Sequence, residues 1–183
     1  PGLINAHVRP APSIFDDLLN NSIDMKTQFA ATKERIISDL DLETQDLLIE
    51  LAATKMIRSG TTTFATISDY PRLFAKKSEA VGIRCQSALP IVKKGRSSDD
   101  FHKILELVDE FRHSGLVKIA FGSLGPGTID EAQIKNIVML ANELQAPIQT
   151  MASQMGKESR RRTKDPDQHW LYLLETQGML GPN

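Results

Sequence analysis

Two residues whose groups could do chemistry stand together near the start of this sequence. His7 closes an apolar run, Gly2 to His7 in PGLINAHVRP, and Arg9 follows two positions later. A neutral imidazole can bind a metal or take up a proton. A guanidinium attracts anions and has no lone pair to give a cation. A strand ending at His7, with Pro10 and Pro12 just beyond, would present the imidazole at its C-terminal tip. Parallel barrels keep their chemistry at such tips. Arg9 would then sit in the mouth as an anion site or pair with a nearby carboxylate.

The remaining candidates read more simply as structure. His102, His113 and His169 fall on outer helices without ligand-like spacing. Asp16–Asp17 and Asp99–Asp100 suit helix starts, where the dipole favours negative charge. Cys85 lies mid-strand with Arg84 as its basic neighbour, which fits core filling better than a nucleophile. The basic stretch Arg160 to Lys164 reads as an exposed helix end rather than a phosphate site. Thr61 to Thr63 pack a strand, and Gly125-Pro126-Gly127 is a turn with too few glycines for a phosphate loop.

The elements that must position these groups alternate along the chain. After the first strand come a short helix or loop over Ser13 to Asn21 and a helix over Met25 to Leu40. Leu42 to Ser59 is a helix with Leu47, Leu48, Leu51, Ala52 and Met56 on one face, closed by Gly60. Thr61 to Ile67 is a β-branched second strand. A helix over Tyr70 to Val81 starts at Pro71 and ends at Gly82. Ile83 to Leu89 is the third strand. Ser97 or Ser98 caps a helix whose inward face is Phe101, Ile104, Leu105, Val108 and Phe111, stopped by Gly115. Leu116 to Phe121 is the fourth strand. Thr128 or Asp130 opens a helix with Ile134, Ile137, Val138, Ala141 and Leu144 inward, and Pro147 to Ala152 is the fifth strand. A polar helix with Arg160 to Arg162 follows, then Pro166 to Leu174 with Trp170.

Five strands alternating with helices predict parallel βαβ units in an α/β fold. A closed (β/α)₈ barrel, an open doubly wound sheet and part of a barrel all fit that pattern. A full barrel takes about 250 residues, more than the 183 present. No short repeat or linker divides the sequence, so residues 1–183 read as one domain.

Composition limits the function classes. Hydrophobic residues are 40% and charged residues 25%, with a net charge of −1, ordinary for a soluble globular chain. Nothing in that balance points to nucleic acid or an anionic membrane. A single cysteine rules out an internal disulfide framework and suits a reducing, cytoplasmic setting. No apolar run approaches a membrane span, and the start has no signal-peptide pattern. A strand beginning almost at residue 1, without an initiator Met, suggests a piece of something longer.

The stretch PGLINAH resembles the first-strand motif of the amidohydrolase superfamily, in the branch of the methylthioadenosine/S-adenosylhomocysteine deaminases and triazine chlorohydrolases. RSGTTTF (Arg58 to Phe64), EAVGIR (Glu79 to Arg84) and GMLGPN (Gly178 to Asn183) are similar to later landmarks of the same family. The resemblance implies strands one to five of a TIM-type barrel: about five parallel strands with flanking helices. It also implies a zinc- or iron-dependent attack of hydroxide on a C–N or C–Cl bond of a purine- or triazine-like ring. Relatives read PGLINAHTH, APHAPYT and HIHLAET at three functional segments. Here Arg9 stands at the second metal-ligand position beside His7. In GSLGPGT, Leu124 replaces a substrate-binding histidine and Gly127 a tyrosine. In QTMASQM, Met151 takes a metal-ligand position and Gln154 the position of the acid/base glutamate.

Catalytic zinc takes about three protein ligands and an open position. Arg9 repels a cation, a Met thioether suits softer metals, and a Gln relays no proton near neutral pH. The expectation is a hydrolase-lineage chain without its own metal, inactive as it stands, with His7 a hydrogen-bonded structural histidine. The alternatives are a non-catalytic binding or assembly protein on the same scaffold and an unrelated open-sheet module. A small-molecule substrate is expected only if the chain is active. Five strands also leave two edges, Gly2–His7 and Pro147–Ala152, with Leu3, Ile4, Ile148 and Met151 partly uncovered. A homo-oligomer, or the remainder of a longer chain, is expected to cover them.

Overall fold

The computed structural model describes residues 1–9, 39–92, 97–124, 129–151 and 174–180. The expected helices over 13–21 and most of 25–40, the basic helix at Arg160 to Arg162 and the stretch before Leu174 lie outside them. So do Gln154 and the Gly125-Pro126-Gly127 turn.

The elements run β1 (Leu3–Asn5), α1 (Leu42–Arg58), β2 (Thr61–Ile67), α2 (Pro71–Val81), β3 (Arg84–Pro90), α3 (Ser97–Glu110), β4 (Val117–Ser123), α4 (Glu131–Leu144) and β5 (Ile148–Thr150). All four strand pairings are parallel and the order across the sheet is β1-β2-β3-β4-β5. A doubly wound sheet reverses its strand order at a switch point; this one never does. It curls into a half-barrel with flanking helices. Inside the curl the Gln86 side-chain amide donates to Gln149 Oε1 at 3.3 Å. That bond links β3 to β5 over β4, where Ala120 and Gly122 leave room.

Local chemistry sets the element ends. Asp41 caps α1 by accepting from the Thr44 backbone N–H at 2.8 Å. Pro71 opens α2, and Gly82 closes it at φ +82°, a left-handed conformation that side-chain-bearing residues resist. Asp130, rather than Thr128, starts α4. It exchanges two hydrogen bonds with Gln133, each 2.9 Å, in a reciprocal capping box.

The helix-side core has two parts. Leu89, Ile119 and Phe121 from the sheet pack with Ile104, Leu107 and Phe111 of α3 and Ile134, Ile137 and Ala141 of α4. Phe64 and Cys85 pack with Ile49 and Ala53 of α1 and Phe74 of α2. Lys77 of α2 pairs with Asp46 and Glu50 of α1, and Arg72 with Glu110 of α3 at 2.9 Å. Solvated pairs of this kind add little to stability.

Three expectations change. On α3, Leu107 is buried in the core, whereas the expected Leu105 is only half-buried. The buried face of α1 is Gln45, Ile49, Ala52 and Ala53, not the leucine stripe. Leu47 and Leu51 face solvent, and Leu48 and Met56 are half-buried. Ile49 and Ala53 pack with Phe64 and Cys85 of the sheet, so tertiary contact overrides leucine content. At the edges, Leu3 and Ile4 are 64% and 75% exposed, but Met151 is only 7% exposed. Ile148 is half-buried against the main core. Among the described edge residues, the large exposed hydrophobics are therefore those of β1.

Candidate functional site

A parallel sheet in sequential order brings the ends of all its strands to one rim. His7 and Arg9 lie beyond β1, Leu124 follows β4 and Met151 follows β5. The segment after β1 is anchored by Val8, whose N–H donates to the Ala65 carbonyl at 2.9 Å. Its side chain packs against the Phe64 cluster. His7 beside it is exposed, and its backbone N–H donates to Asn5 Oδ1 at 3.3 Å. Partial desolvation, and then the charge of Arg9, lower the His7 imidazole from its ordinary value. Arg9 is half-buried.

At the other end of the rim, the Met151 N–H donates to the Ser123 carbonyl at 3.1 Å. Its side chain lies with Ile67, Ala88 and Ala120, and Leu124 packs against the group. No helix residue belongs to this cluster, which places it on the sheet face turned away from the helices. The structure thus brings His7 to Arg9 and Leu124 to Met151. Ala88 and Ala120, the floor under Met151, carry no signal in the sequence beyond their alternation with the helix-facing Ser87, Leu89, Ile119 and Phe121.

The other chemistry-bearing residues lie elsewhere. Cys85 is buried beside Phe64, and burial pushes its thiol up to about 12, against a weaker opposing hydrogen bond from Ser78. A thiol held neutral in this way fills core space and does not attack. His102 and His113 are exposed. A recess lined by Lys118, Gln145, Ala146 and Pro147 sits at the opposite, N-terminal end of β4 and β5.

A zinc ion needs lone pairs from imidazole, thiolate or carboxylate. Of the four rim residues only His7 supplies one. Among the described residues no three His, Cys, Asp or Glu side chains group closely enough to hold a metal. These residues do not fit the metal that the resemblance implies. No helix among them is long and apolar enough to cross a membrane.

The chain is similar to known proteins over its whole length. It is 32% identical to a 5-methylthioadenosine/S-adenosylhomocysteine deaminase of Saccharophagus degradans, over 100% of this chain and 42% of that protein. Its fold matches an adenosine deaminase from Xanthomonas campestris with bound zinc at a TM-score of 0.84. That match has 22% identity and covers 99% of this chain and 42% of the other. An atrazine chlorohydrolase from Arthrobacter aurescens complexed with zinc matches at 0.75, with 16% identity and 98% and 46% coverage. The chain therefore spans less than half the length of these proteins. The sequence profile of the amidohydrolase family matches residues 1–169, and the chain belongs to that family.

Proposed function

We propose that this chain is an amidohydrolase-family half-barrel that no longer carries out metal-dependent hydrolysis or deamination. In the lineage the reaction would be displacement of an amine or chloride from a purine- or triazine-like ring, and the relatives named as deaminases support that class. One observation carries the loss. Met151, where the resemblance puts a metal ligand, is buried among Ile67, Ala88 and Ala120 with Leu124 against it. Arg9 beside His7 and Gln154 in the fifth-strand segment agree with it. The single, buried Cys85 suits the cytoplasm.

Metal analysis of the purified protein, with ammonia release from methylthioadenosine and S-adenosylhomocysteine in added zinc, tests this. The expected result is zinc well below one per chain and release at the uncatalysed rate. That is about 10⁶-fold or more beneath an ordinary enzyme. Stoichiometric zinc, or ammonia above background, overturns the reading.

A second reading, a non-catalytic assembly module, is favoured by the edge strand. Leu3 and Ile4 are exposed on β1, and such an edge is a template for pairing with another chain. Sedimentation at micromolar concentration should give a homodimer, about twice the 20.3 kDa chain mass. Ile4→Lys should return it to monomer, since charge on an edge opposes pairing. A monomer before any substitution would remove this reading.

A further inference from the structure

We infer that the strand-end mouth of this half-barrel is an apolar plug in which Met151 acts as a packing residue tying the ends of β2 to β5 together. The inference rests on the reading that metal chemistry is lost, and goes past it. A mouth that has lost its metal can remain an open polar cup, or it can be filled. Here it is filled. Ile67, Ala88 and Ala120 are register partners in a row across β2, β3 and β4. Ala88 and Ala120 are fully buried and Ile67 is 6% exposed. Met151 reaches this row from the end of β5, with its backbone fixed by the bond to Ser123. The two alanines leave a shallow floor, and an unbranched, flexible thioether can lie along it. Leu124, from the end of β4, packs against the group. An imidazole at position 151 would be buried among apolar side chains, an unfavourable setting for an unpaired polar group.

Thermal melts of the purified protein and its variants, with and without about 100 µM zinc chloride, test the plug by mass action. Met151→Leu conserves size and apolarity, and should melt within roughly 5 °C of the unaltered protein. Met151→His and Met151→Gln should melt lower by roughly 5–15 °C, and zinc should not raise Met151→His. A Met151→His protein as stable as Met151→Leu, or one rescued by zinc, would show an open ligand cup and overturn the inference. Should neither polar variant fold, Met151→Leu decides. A melt like the unaltered protein supports the plug, and a comparable collapse overturns it. Zinc bound by the unaltered protein would sink the functional reading instead, leaving the variant comparison to judge the packing.

Discussion

Gly122→Val should leave no stably folded half-barrel, and Gly122→Ala should melt well below the unaltered protein. A Cβ on Gly122 would lie 2.6 Å from the Leu89 carbonyl oxygen, 2.9 Å from its carbon and 3.1 Å from the Pro90 nitrogen. All three are backbone atoms of the neighbouring strand, so no rotamer change relieves the contact. Pro90 and Gly122 are register partners, and the Ile91 N–H donates to the Gly122 carbonyl at 3.0 Å. Moving β3 away would break that pairing and disturb the Ala88–Ala120 step beneath Met151. Overpacking typically costs about 1–3 kcal/mol. The alanine variant belongs at the top of that range, a fall of roughly 6–12 °C for a domain of this size. Valine adds two methyl groups to the same gap and exceeds it. Circular dichroism melts check both, and an alanine variant melting within about 3 °C of the unaltered protein would show that β3 and β4 separate freely.

Nothing around Gly122 announces this in the sequence. The sequence pattern ends the fourth strand at Phe121 and reads Gly125-Pro126-Gly127 as a turn. The strand instead runs to Ser123, because hydrogen bonds to β3 and β5 outlast the hydrophobic pattern. The alternation of elements, by contrast, was legible, and so were the closing Gly82, the inward face of α4 and most of that of α3, where buried Leu107 was missed; Asp130 was one of two cap candidates, with Thr128. Those features depend on neighbours within a few residues. The α1 face was not legible, because two apolar stripes compete on that helix and only contact with the sheet chooses Ile49 and Ala53 over Leu47 and Leu51. The same limit applies to the rim. Resemblance pointed to His7, Arg9, Leu124 and Met151. That Met151 is packed over Ala88 and Ala120 depends on residues from three different strands, and no local pattern encodes it.

Phe121→Ala should remove a large share of the stability without touching that rim. Phe121 is fully buried on β4, at the centre of the larger core. Its ring lies 6.4 Å from that of Phe101 on α3, tilted at 47°, a geometry favourable to aromatic pairs. Its backbone N–H donates to the Pro147 carbonyl at 3.0 Å, so the strand cannot easily shift to fill a void. Core Phe→Ala changes cost about 3–5 kcal/mol, against a total of about 5–15 kcal/mol for a typical domain. Side chains alternate across a strand, so Phe121 points to the helices while Ala120 and Gly122 face the opposite side. The cavity should therefore open between α3 and α4 and leave the seat of Met151 intact. Urea unfolding should show a lowered midpoint with an unchanged slope, and Phe121→Leu should recover most of the loss. A cost under about 1 kcal/mol would mean that α3 and α4 collapse into the vacated space, since the cost of such a deletion depends on how far its surroundings relax.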